Sequence, residues 1–175
     1  NVARINHHNG QKLGWTMAVN EFADLTQDEF KATYYGYKPR SNDYLRSQNA
    51  PEESTGKEFA GSLDWRQEGA VTPVKNQGQC GSCWSFSTTG SMEGAHEIAT
   101  KNLVSFSEQQ LVDCAGSSGN QGCNGGLMDD AFEWIIKNGG LCTEASYPYT
   151  ARDGIYKKAC TTAGTISSYK DVPAG

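Results

Sequence analysis

Two thiols stand three positions apart in the stretch Gln77 to Phe86, QGQCGSCWSF, at Cys80 and Cys83, with Trp84 directly behind the second. A C-x-x-C spacing serves three chemistries: half of a zinc site, a redox pair, or one structural sulfur beside one nucleophile. Zinc needs further thiolates or imidazoles. The other cysteines, Cys114, Cys123, Cys142 and Cys160, form no second C-x-x-C, and two of the three histidines are the adjacent His7 and His8. A redox pair attacks with its first cysteine from a compact βαβ unit, and no apolar, β-branched strand leads into Cys80. The third reading gives the attack to Cys83. If Ser82 caps a helix there, Cys83 takes the first helical position, where unpaired N–H groups and the positive end of the dipole favour a thiolate.

The elements that would position this thiol can be read from local pattern. A helix opens after GQCGS, with Phe86, Gly90, Gly94 and Ile98 along one face. The two glycines cost roughly 1 kcal/mol each relative to Ala, a cost offset by close approach of a neighbouring element. A second helix begins at Ser107, with Gln110 completing a capping box. A third, LMDDAFEWIIK, buries Met128, Ala131, Phe132, Ile135 and Ile136 and stops at Asn138-Gly139. TISSYKDV reads as a strand without a visible partner. Nearer the start, LTQDEFKATYYG reads as a helix with Thr26 as N-cap, Glu29 closing a capping box, and Leu25 and Phe30 as a staple.

At 175 residues the chain is one domain or slightly more. Its net charge of -5 and pI near 5.2 offer no cationic footprint, which argues against nucleic acid as a partner. No apolar run is long enough to span a bilayer. The chain opens NVARINHHNG, without Met or an apolar signal core, and ends at KDVPAG, which reads as an excerpt. Six cysteines point to disulfides and a secretory route. No N-x-[ST] sequon occurs. Residues 1 to about 37 are rich in aromatics and charges, KPRSNDYLRSQNAPEESTGK has the composition of a linker, and the chain turns globular from about Phe59.

CGSCW, at Cys80 to Trp84, resembles the active-site signature of the papain and cathepsin L family. The likeness extends through LDWRQEGAVTPVKNQGQCGSCWSF (Leu63 to Phe86), SEQQLVDC (Ser107 to Cys114), GCNGGLMDDAF (Gly122 to Phe132) and ASYPY (Ala145 to Tyr149). The resemblance implies an α+β, two-lobed fold, one lobe helical and one β-barrel-like. This chain would hold mainly the helical lobe, with most of the other lobe missing. It also implies that Cys83 is the nucleophile, that Gln77 donates its side-chain N–H to an oxyanion hole, and that Cys80 pairs with Cys123. Trp84 would be packing. Gly125 and Gly126 would hydrogen-bond an extended substrate, and Leu127 and Met128 would line the pocket for the residue two before the cut; helical spacing also suits Met128 to the core.

The front of the chain resembles the family's inhibitory pro-segment: Asn1, Ile5 and Asn9 match the tail of its ERFNIN helix, and Asn20-x-Phe22-x-Asp24 its G-x-N-x-F-x-D box, with Ala18 in place of the leading Gly. Residues 1–58 are therefore expected to be part of a removable intramolecular inhibitor with processing near Lys57 to Gly61, and residues 59–175 the first part of a peptidase domain. The implied protein is a monomeric endopeptidase precursor acting on polypeptides without cofactor or metal, in a lysosome, a vacuole or outside the cell. The family's His and Asn lie about 130 to 150 residues beyond the Cys, past residue 175. His96 is 13 positions along the same helix as Cys83, about 20 Å away at ~1.5 Å per residue. The fragment alone is expected to be inactive. The rival reading is a non-catalytic product that inhibits other proteases through its pro-segment. Tyr156 occupies the position of the family's usual partner for Cys114, so Cys160 is expected to pair with Cys142, as an extra bridge, or else with Cys114.

Overall fold

The computed structural model describes residues 1–39, 61–155 and 160–171. The linker from Arg40 onward, the processing stretch from Lys57 to Ala60, and Tyr156 lie outside the described residues. Within them run five α-helices, α1 (Val2–Gly10), α2 (Gln27–Tyr34), α3 (Cys83–Thr100), α4 (Glu108–Cys114) and α5 (Met128–Asn138), with 3₁₀ turns at Ala115–Ser118 and Gly122–Asn124 and two short strands, β1 (Leu141–Cys142) and β2 (Thr162–Gly164). The content is predominantly helical with a small antiparallel patch. No helix among the described residues is long and apolar enough to cross a membrane.

The core forms where α3 packs on α4 and α5. Trp84, Met92, Phe106, Leu111, Val112, Ala115, Ala131, Trp134, Ile135 and Leu141 make one buried cluster. The face α3 turns inward differs from the expected one. Trp84, Ser85, Thr88, Thr89, Met92, Glu93 and Glu97 are buried, whereas Gly90 and Ile98 face solvent. A hydrophobic pattern misses this face because most of it is polar and internally satisfied. Ser85 Oγ donates to Ser82 O at 2.8 Å, Thr88 Oγ1 to Trp84 O at 2.8 Å and Thr89 Oγ1 to Glu108 Oε1 at 2.6 Å. A Cβ at Gly90 would meet open space, and one at Gly94 would make only ordinary contact with Ala70 O, so close approach explains neither glycine.

Helix α4 starts where expected, with Ser107 Oγ accepting from Gln110 N at 3.0 Å. The reciprocal half of the box is absent: Gln110 Oε1 accepts instead from Cys142 N at 2.8 Å, tying α4 to β1. On α5 the buried stripe includes Trp134, and Ile136 lies toward solvent; the helix ends at Gly139 in the left-handed conformation. The expected strand TISSYKDV is also corrected. The strand is Thr162–Gly164, it pairs with Leu141–Cys142, and the chain from Thr165 to Asp171 is irregular. β1 is held from its other side by Ser107 N to Cys142 O at 3.0 Å, extended by Glu144 N to Ser105 O at 2.8 Å.

The front of the chain folds as its asparagines and caps require. Thr26 and Glu29 form the full capping box of α2, Glu29 N donating to Thr26 Oγ1 and Thr26 N to Glu29 Oε2. Asn9 pairs with the Met17 backbone twice at 2.8 Å, as a strand neighbour would, and Asn1 Nδ2 donates to Ala23 O and Leu25 O. Phe30 stacks on Tyr34 and Phe22 meets both edge-on, with ring centroids 4.9 to 5.3 Å apart.

Candidate active site

Cys83 is the first residue of α3, half-buried and free. The turn before it is fixed by a disulfide from Cys80 to Cys123 and by Gly81 N donating to Cys123 O at 2.9 Å. Cys80 is therefore unavailable to Cys83 as a redox partner. Ser82 precedes the helix as expected but does not cap it with its side chain. Its hydroxyl lies 2.5 Å from that of Tyr149, which donates to Gln77 O at 2.7 Å. A carbonyl can only accept, so Tyr149 spends its proton on Gln77 and receives one from Ser82.

Gln77 directs both amide hydrogens into the site. Nε2 donates to Cys80 O at 2.8 Å and to Tyr34 O at 3.0 Å. The first contact orients the amide within the thiol turn. The second binds a peptide carbonyl of the N-terminal segment. A cavity of ≈ 800 Å³ brings Cys83 and Gln77 together with Phe22, Tyr34, Gly36 and Tyr37 of that segment.

Beyond Tyr34 the segment runs extended across the site. Gly126 N donates to Gly36 O at 2.7 Å and Lys38 N to Gly126 O at 3.0 Å, a parallel bridge centred on Tyr37. Gly36 permits this approach, because any Cβ there would collide with Gly81 O. Among the described residues Gly125 makes no hydrogen bond to the segment; a Cβ on it would lie 2.6 Å from Gly36 O. Lys38 Nζ donates to Gln121 Oε1 at 2.6 Å, anchoring the segment on the far side. Leu127 is buried, with its N–H on Asn120 Oδ1, and half-buried Met128 packs against the core; neither lines the cavity beside Cys83.

The charges near the thiol form a compact set. Lys75 Nζ donates to Glu93 Oε1 and Glu108 Oε1, both at 2.7 Å. Burial pulls the ammonium's pKa down, but the two carboxylates outweigh it and hold the group above its ordinary value. None of the three histidines of the sequence faces Cys83. His7 Nε2 contacts Gln11, His8 packs against Trp15 with the rings tilted by 44°, and His96 lies far along α3 with its ring edge-on to Phe106. The second disulfide joins Cys142 to Cys160 and leaves Cys114 free.

Sequence reasoning named the thiol, the amide and Gly126, and missed the hydroxyl pair Ser82–Tyr149, the Tyr34 carbonyl and the Lys38–Gln121 anchor. Only the YPY block carried a signal for Tyr149, and nothing in it told which hydroxyl would be used.

The "Papain family cysteine protease" model matches residues 59–175. The chain is 50% identical over 175 residues to "Probable cysteine protease RD21B" of Arabidopsis thaliana, covering 99% of this chain and 37% of that protein. It is 49% identical over 170 residues to "Digestive cysteine proteinase 2" of Homarus americanus, covering 97% and 52%. Among solved structures, digestive procathepsin L 3 of the Tenebrio molitor larval midgut superposes with a TM-score of 0.80 at 40% identity, covering 95% of this chain and 54% of that one. The chain thus spans about half or less of the length of these relatives.

Proposed function

Because the chain belongs to the papain family of cysteine proteases, we propose that it forms the nucleophile-bearing half of a cysteine endopeptidase precursor, with residues 1–58 as pro-segment and residues 59–175 as the start of the peptidase domain. Cys83 attacks the peptide carbonyl, the amine leaves, and water later hydrolyses the thioester. The Gln77 amide and the Cys83 backbone N–H receive the charge that develops on the carbonyl oxygen.

The observation that carries this reading is the Tyr34 carbonyl held by Gln77 Nε2 beside the thiol. A peptide oxygen already accepts from one of the two donors proposed for the oxyanion. Gly36 to Lys38 supply further support, since they use the Gly126 backbone as an added strand does, leaving side chains to set preference. Occupying these groups, the pro-segment excludes substrate. Leu127 and Met128 follow Gly126 in the chain and lie outside the cavity beside Cys83, so an apolar preference two residues before the cut rests on the family resemblance alone. Two disulfides fit a secretory route to a lysosome, a vacuole or the exterior.

A thiol protease also needs an imidazole, and the three present are committed elsewhere. The 175-residue chain should give no measurable peptide hydrolysis after removal of residues 1–58, whereas a longer chain that places a histidine opposite Cys83 should turn over and lose that activity on Cys83→Ala. Peptide-coumarin hydrolysis is the measurement. Activity that survives Cys83→Ala would sink the assignment of the nucleophile.

A further inference from the structure

Behind the site, three carboxylates crowd one ammonium. Glu93 is fully occupied: Oε2 accepts from Thr72 Oγ1 at 2.6 Å, and Oε1 from Lys75 Nζ at 2.7 Å and Phe106 N at 2.9 Å. Glu108 uses only Oε1, on Lys75 and Thr89. Glu144 uses only Oε1, which accepts from Tyr149 N at 2.8 Å. That leaves Glu108 Oε2 and Glu144 Oε2, both buried and both without a donor among the described residues. The two carboxyl groups lie within hydrogen-bonding reach of one another. Two ionised carboxylates cannot share such a place, whereas a carboxylic acid facing a carboxylate satisfies both oxygens with one proton.

We propose that Glu144 and Glu108 share a single proton, and that this pair, acting through Tyr149, positions Gln77 and the turn before Cys83 only while the proton is bound. The path is short. Glu144 holds the Tyr149 backbone N–H, and the Tyr149 hydroxyl holds Gln77 O and takes the Ser82 hydrogen bond. Glu144 is thus a positioning residue. The effect on catalysis rests on the proposed roles of Cys83 and Gln77; the shared proton does not.

The groups facing Glu144 are Glu108 from α4, Lys75 from the segment before the thiol turn, and Tyr149 on its own loop, with Glu93 of α3 reached through Lys75. Burial pushes the Glu144 carboxyl up to about 7; the Tyr149 N–H opposes this, the Glu108 charge and hydrogen bond add to it, and Lys75 opposes. The folded value therefore lies above the ordinary carboxylate value of 4.5. Stability from this group is fully present below the ordinary value, is lost as pH rises toward the folded value, and falls no further above it.

The test uses the 175-residue chain with ¹³C-labelled glutamate, unsubstituted and as Glu144→Gln, whose amide can donate permanently to Glu108 Oε2 while still accepting from Tyr149. One glutamate carboxyl should titrate near pH 7 and vanish in Glu144→Gln, and the fall in Tm across this window should vanish with it. If every glutamate titrates in the ordinary carboxylate range, the shared proton is overturned. The link to the site is read from the rate of Cys83 alkylation by iodoacetamide. An inflection near pH 7 is expected in the unsubstituted chain and in neither Glu144→Gln nor Tyr149→Phe. Its persistence in Tyr149→Phe, with the carboxyl titration intact, overturns the path through Tyr149. Hydrolysis by a longer chain that survives Cys83→Ala would instead refute the protease reading and leave the proton untouched.

Discussion

Cys83 and Cys114 are both free and half-buried, yet their surroundings differ in kind. Cys83 opens a helix and borders a cavity. Cys114 closes one, and burial first, then the Asp113 charge beside it, push its thiol up to about 12, with a Tyr147 hydrogen bond opposing. At pH 8 only about one part in ten thousand of Cys114 is thiolate, which is the reactive form. Limiting iodoacetamide at that pH should label Cys83 and leave Cys114 unmodified in the folded protein. Peptide mapping reads the outcome, and label at Cys114 before unfolding would contradict it. Both thiols are legible as residues from sequence. Which one is shielded was open, because the sequence left Cys160 with two possible partners and only the pairing with Cys142 settled that Cys114 stays free.

Helix α2 presents Tyr34 to the site, so its start sets where that carbonyl lies. Thr26→Ala removes the N-cap, which costs about 1 kcal/mol and should speed hydrogen exchange of the Glu29 and Phe30 amides about five-fold. Unchanged exchange would mean that packing of Phe22, Phe30 and Tyr34 alone holds the helix. The cap is also pH-dependent. Hydrogen bonds from the Thr26 backbone N–H and hydroxyl hold the Glu29 carboxyl below its ordinary value. Its contribution is present above that value and is lost as pH falls through the lower folded one, so protection of α2 should decline on acidification and not on raising pH. Caps of this kind were readable because they depend on residues three apart. The buried face of α3 was not, since Thr89 and Glu93 look like a solvated face until their partners Glu108 and Lys75 arrive from other parts of the chain.

Two crosslinks tie these elements into one body. They close loops of 43 and 18 residues, worth about 4 and about 3 kcal/mol in a chain-entropy account. Cys123→Ser should therefore lower Tm by roughly 10 °C and Cys160→Ser by somewhat less; a smaller loss for Cys123→Ser than for Cys160→Ser would show that native contacts, and not loop closure, dominate. By itself the sequence determined the family and the helix starts at Cys83, Ser107 and Thr26, because these are written in short motifs whose meaning is local, while the Cys80–Cys123 crosslink was reached only through the family resemblance. Tertiary structure alone decided that the Tyr34 carbonyl meets Gln77, that β1 finds its partner in Thr162–Gly164, and that Glu144 meets Glu108. Each of those joins residues 20 to 43 positions apart. Such distances are set by how α3, α4 and the N-terminal segment pack together, and no local spacing records them.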